Sequence, residues 1–128
     1  MTGGSNGQKL QKTTEFIDQN GSTPGKDLPY SFAYHCMSYM NTTHSILIGG
    51  LVDGSWYGKS VIVQMSDFKM TDGPVLNSNK GDVACGNFQH SNGTKYIILA
   101  GGDFVKTTQL LNVDSVNEGW HSGMKFMQ

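Results

Sequence analysis

The sequence predicts an all-β fold built from repeated four-stranded antiparallel units. Three observations carry that expectation. Glycine is abundant, at 17 of 128 residues. The β-branched and aromatic residues fall in short runs separated by turn residues, and two apolar runs, "HSILIGG" at 44–50 and "KYIILAGG" at 95–102, close on the same diglycine. Glycine supplies the positive-φ positions that turns require, and short apolar runs bounded by turn signals read as strands. No stretch has the length and period of a long helix.

Superposing the diglycines, Gly49 on Gly101, gives a step of 52 residues, and the flanking segments then follow the same order. Ahead of each lies a cysteine on an apolar stretch, "AYHCMSYM" and "DVACGNFQ", then a turn, "NTTH" and "HSNGTK", and then the apolar strand. After each comes a polar loop and a strand opening with lysine, at Lys59 and Lys106, with a further copy, "KTTEFID", from Lys12. The closing segments recur as well: Gly25, Gly73 and Gly123 align, carrying Leu28, Leu76 and Phe126 into register. The unit is thus four short strands, A to D, with a period near fifty residues. That is the pattern of a β-propeller blade.

The residues Gly73-Pro74-x-Leu76, Ala84-Cys85, Tyr96 to Gly102, Thr107 to Leu111 and Gly119-Trp120 resemble a kelch repeat, in about two and a half copies over nearly the whole chain after residue 11. Trp120 matches the tryptophan that the family carries on strand D, with Phe68 as its counterpart in the middle unit. The resemblance implies kelch-type propeller blades of four antiparallel strands, divided into a tag-like or linker segment at 1–11, a half blade of strands C and D at 12–32, and blades at 33–79 and 80–128. Gly3-Gly4 could also be a further copy of the diglycine. Gly49, Gly50, Gly101 and Gly102 are then structural: strand B ends where strands crowd and the chain turns outward, and a side chain or an ordinary φ fails there. A phosphate-binding loop is the competing reading, but no helix signal and no Gly-Lys-Ser/Thr ending follows.

Ten strands, two and a half blades, leave the ring incomplete, since closed propellers have about four to eight blades. Partner strands are therefore expected, from a longer parent chain, a different chain, or copies of this one. Two copies sum to five blades, yet each brings an orphan C–D pair and neither an orphan A–B pair. The unpaired edges should recruit other strands.

A formal charge of −1 lacks the basic excess of a nucleic-acid binder. No apolar run reaches the ~18 residues of a membrane helix, and "MTGGSNGQKLQK" lacks the apolar core of a signal peptide. The chain is therefore expected to bind neither nucleic acid nor membrane. Histidines 35, 44, 90 and 121 match no zinc spacing and read as structural or solvated, so no metal or cofactor is expected. An axial copper site like that of the oxidases resembling kelch proteins is disfavoured, because Tyr34, His35 and Cys36 are adjacent and alternate across a strand. Cys36 and Cys85, too few for a disulfide framework, read as unpaired small hydrophobes at equivalent positions of neighbouring inner strands.

No serine elbow is present, and catalysis has no positive sequence support, so the chain is read as a non-enzyme, with an axial-site enzyme as the remote alternative. Binding is expected at the B–C and D–A loops, which share one face of a propeller. The middle B–C loop, "LVDGSWYGKS", offers Asp53, Trp56, Tyr57 and Lys59, aromatics beside polar groups as in interface anchors, and the later loop offers Asp103 and Phe104. The expected function is protein or glycan recognition, with a self-associating assembly element as the alternative. Three Asn-x-Ser/Thr sequons, at Asn20, Asn41 and Asn92, lean towards an extracellular parent protein.

Overall fold

The computed structural model describes residues 12–30, 32–33, 35–49, 51–52, 55–56, 58–76, 83–101 and 108–123. Among the described residues it is all-β, with three successive antiparallel units of two, four and four strands and a small three-stranded sheet beside the second unit, none closed on itself. The first unit is the hairpin of β1 (Glu15–Asp18) and β2 (Gly21–Pro24). After the short β3 (Phe32–Ala33), the second unit runs through β4 (Cys36–Tyr39), β5 (His44–Ile48), β8 (Ser60–Gln64) and β9 (Met70–Asp72), with β6 (Leu51–Val52) and β7 (Ser55–Trp56) between β5 and β8. The third runs through β10 (Ala84–Gln89), β11 (Lys95–Ala100), β12 (Thr108–Asn112) and β13 (Trp120–Ser122). Each four-stranded unit is an up-and-down meander, the strand content expected of two and a half blades. A 3-10 segment, Val113–Glu118, replaces the last C–D turn, with Asn112 accepting from the Asp114 N–H at 2.9 Å as its N-cap.

The repeat seen in the glycines is physical. The N–H groups of Gly25, Gly73 and Gly123 donate to the carbonyls of Thr14, Ser60 and Thr108 at 2.8, 2.9 and 2.8 Å. A Cβ at any of the three would collide with the hydroxyl of that same partner. In the first two units the hydroxyl is already committed: Thr14 Oγ1 donates to the Lys26 carbonyl and Ser60 Oγ to the Pro74 carbonyl, each at 2.7 Å. Three residues on, Leu28 and Leu76 are buried and donate to the carbonyls of Lys12 and Gly58. Phe126 lies outside the described residues.

This register corrects two details of the sequence alignment. Lys12 corresponds to Gly58, so Lys59 falls one residue late in the repeat. The counterpart of Trp120 is Met70, since Leu111 pairs with Trp120 and Val63 with Met70. Phe68 instead sits in the turn before β9 at φ 59°, its ring edge-on to Phe16 with centroids 4.5 Å apart. Aromatic identity suggested the match, but hydrogen-bond register sets it.

The units stack through their faces. In β5 the residues Ser45, Ile46, Leu47 and Ile48 are all buried, because Ile46 and Ile48 face the third unit while Leu47 faces the first. A strand covered on both sides needs a continuous apolar run, which "SILI" nearly is. In β11 burial alternates instead: Ile97 and Leu99 are buried against the second unit, and Ile98 and Ala100 are only partly covered. Trp120 joins that interface, its Nε1 donating to the Pro74 carbonyl at 3.2 Å.

Cys36 and Cys85 are not unpaired and do not occupy equivalent positions: they form a disulfide, Cα to Cα 6.0 Å, between β4 and β10. Cys36 pairs with Ile48, opposite Ser60; its counterpart in the third unit is Ala84, which pairs with Ala100, opposite Thr108. Cys85 is therefore offset by one residue. Equivalent positions in stacked sheets point the same way and never meet, whereas a one-residue offset turns the side chain to the other face. That offset lets the two sulfurs face each other across the interface.

Candidate functional site

The first glycine of each pair leaves its strand in the left-handed region, Gly49 at φ 68° and Gly101 at φ 71°, where other residues are strained. Gly50 and Gly102 lie outside the described residues. The Gly49 N–H donates to the Lys59 carbonyl at 2.8 Å and closes the base of the B–C connection. Beyond that base the connection is not an irregular polar loop. Its β6 pairs with β7, Leu51 opposite Trp56 and Val52 opposite Ser55, and on its other edge with β3 of the D–A segment, Phe32 opposite Val52 and Ala33 opposite Leu51. The two residues between Val52 and Ser55 are Asp-Gly, a sequence suited to a two-residue hairpin turn. Backbone pairing thus joins the B–C and D–A connections on one end of the second unit.

Of the sequence-nominated binding residues, Trp56 has its backbone in β7, while Asp53, Tyr57, Asp103 and Phe104 lie outside the described residues. Lys59 is half-buried, with Nζ 4.1 Å from the centroid of the Tyr30 ring, and the Tyr30 hydroxyl donates to Asp72 Oδ1 at 3.2 Å. This chain of cation, ring and carboxylate ties the first D–A segment to the start of strand C and the end of strand D. Such a cation–ring contact contributes about 0.5–1 kcal/mol where water reaches it. Tyr30 and Asp72 carried no sequence signal, because they lie 42 residues apart and meet only through the stacking of units.

At the opposite end, the A–B and C–D turns frame a groove of about 380 Å³ between the second and third units, lined by Met40, His44, Lys69 and Val116 among others. The His44 Nδ1 lies 2.7 Å from Thr43 Oγ1, so the ring is oriented by its own turn. His90 Nδ1 accepts from the Asn92 N–H at 3.4 Å, and His121 Nε2 lies 3.9 Å from Glu118 Oε2. Among the described residues no three His, Cys, Asp or Glu side chains converge as metal ligands, and no helix is long and apolar enough to cross a membrane.

His35 lies immediately before β4 and is half-buried. Burial disfavours its charged form and holds its pKa below the ordinary value of 6.5. The native state then binds fewer protons than the unfolded chain, so stability is whole above the unfolded value and falls as pH drops through it towards the folded one. Urea midpoints measured from about pH 8 to about pH 5 should fall more steeply for the native sequence than for His35→Leu. Equal slopes would show that His35 titrates as it does in the unfolded chain.

No protein-family model and no curated protein sequence matches this chain.

Proposed function

We propose that this chain is a non-catalytic segment of a kelch-type β-propeller that recognises a protein or glycan through its B–C and D–A connections, with strands from a partner completing the ring. The observation that carries the reading is the small sheet of β3, β6 and β7, which gives the connection bearing Trp56 a backbone-paired scaffold shared with the D–A segment. Loops held on rigid elements keep their side chains in place and lose less entropy on binding.

The need for partner strands rests on the open faces. Strand C is flanked by both B and D in the second and third units, whereas among the described residues β1 pairs with β2. Beside the edge of β1 lies an apolar groove of about 230 Å³. Ile17 is 63% exposed there and Met37 43%, where strands A and B of the first unit would lie. The far face of the third unit presents Phe88, stacked on Tyr96 with centroids 5.5 Å apart, and the half-covered Ile98. These positions correspond to those that the third unit covers on the second. Partner blades come from a longer parent chain or from copies of this one, and these open faces also favour the second reading, an assembly element whose role is self-association.

The test is a printed glycan array and an array of secreted protein ectodomains, probed with the native sequence and with the double variant Trp56→Ala/Tyr57→Ala, alongside light-scattering mass. Recognition predicts a specific hit weakened at least about tenfold by the variant, with unchanged mass. Binding unaffected by the variant, or a change in mass alone, overturns recognition and favours assembly.

A further inference from the structure

The three sequons occupy one end of the molecule. Asn20 lies in the β1–β2 turn, Asn41 in the β4–β5 turn and Asn92 in the β10–β11 turn, so each sits at a C–D or A–B turn. In an up-and-down meander those turns share the end opposite the B–C and D–A connections. Contacts across the units confirm the common end for the two A–B turns, since Asn87 Nδ2, near the end of β10, donates to the carbonyl of Tyr39, at the end of β4, at 3.1 Å. The chain has nine asparagines; of the other six, those described are Asn87 within a strand and Asn112 and Asn117 at the 3-10 segment, and none begins a sequon.

We infer that Asn20, Asn41 and Asn92 are sites of N-linked glycosylation, forming a glycan-bearing rim that leaves the opposite end open. Asn20 and Asn92 are exposed and Asn41 is half-exposed. In the two A–B turns the hydrogen bonds converge on the amide oxygen: Asn41 Oδ1 accepts from the Thr43 N–H, the Thr43 hydroxyl and the His44 N–H, each at 2.9 Å, and Asn92 Oδ1 accepts from the Thr94 N–H at 2.9 Å. The nitrogen that takes the sugar stays outside those bonds. In the transfer, Asn Nδ2 bonds to the anomeric carbon of a polyprenyl-pyrophosphate-linked oligosaccharide, the bond from that carbon to the phosphate oxygen breaks, the amide gives up one proton, and the lipid pyrophosphate leaves.

An independent observation fits the compartment where that donor is found. The Cys36–Cys85 disulfide persists in oxidising compartments, and the secretory route is both oxidising and the site of N-glycosylation. A glycan on Asn41 would also stand at the groove that this residue helps to line, so ligand recognition is left to the other end.

The full chain, routed into the secretory pathway of a eukaryotic cell by an added signal peptide, tests this. Treatment of the secreted protein with a peptide N-glycosidase should collapse three mobility steps, with each Asn converted to Asp in the mass spectrum. Ser22→Ala, Thr43→Ala and Thr94→Ala should each remove one step, while Thr43→Ser and Thr94→Ser retain it. The glycan joins the chain as it emerges, so a variant that folds poorly is still read in the cell lysate. Occupancy at fewer than two of the three asparagines, or protein unchanged by the glycosidase, overturns the inference whatever the arrays show about recognition.

Discussion

Reduction of the Cys36–Cys85 bond is expected to lower the unfolding free energy by about 4 kcal/mol, from the loop-closure entropy of a cross-link spanning 49 residues. The bond joins β4 and β10 of two units that, among the described residues, otherwise meet through side-chain packing and isolated hydrogen bonds, with no backbone ladder between them. Without it, the unfolded chain regains the freedom of the whole segment from β4 to β10. Domains are stable by only about 5–15 kcal/mol, so the loss is a large share of the total. Urea midpoints with and without reductant measure it. The double variant Cys36→Ser/Cys85→Ser should begin at the reduced midpoint and ignore reductant, and a native-sequence midpoint insensitive to reductant would show that the bond adds nothing.

Trp120→Ala is expected to cost about 3–5 kcal/mol, the range for truncating a large buried aromatic. The ring is 5% exposed and packs with Ile97, Leu99 and Leu111 of its own unit against Ile46 and Ile48 of the second. Trp120→Phe separates packing from hydrogen bonding. It keeps most of the buried area and removes the Nε1 donor, but the Pro74 carbonyl still accepts from Ser60 Oγ at 2.7 Å, so no orphaned acceptor is left. The phenylalanine variant should therefore lose only about 1 kcal/mol more than its smaller volume costs. If Trp120→Ala shifts the denaturation free energy by less than about 1 kcal/mol, the second and third units do not bear on each other as described.

Much of the architecture was legible in the chain because its determinants are local. Positive φ at the end of strand B requires glycine, and Gly49 and Gly101 show it. The close approach of strand D to a hydroxyl on strand C requires glycine again, at Gly25, Gly73 and Gly123. Each rule acts within a few residues or one strand pair, so it leaves a mark that recurs with the unit. The number and order of strands in the three units follow from those marks.

The candidate site was less legible. The connection holding Trp56 reads as a polar loop, since two-residue strands such as β6 and β7 are too short to show an alternation. Their pairing with β3 depends on a segment that adjoins them only once the second unit has folded. The contact of Lys59 with Tyr30 was hidden for the same reason.

By itself, then, the order of residues determined that this is an all-β chain of two and a half repeated strand units, because turn chemistry and strand pairing are short-range and repeat with the sequence. Tertiary structure alone decided what passes between the units: that Met70 and not Phe68 stands where Trp120 does, and that Cys36 and Cys85 bond. The first is set by hydrogen-bond register, and the second by which face of its strand each cysteine takes. A shift of one residue reverses the face while leaving composition, spacing and hydrophobic pattern almost unchanged.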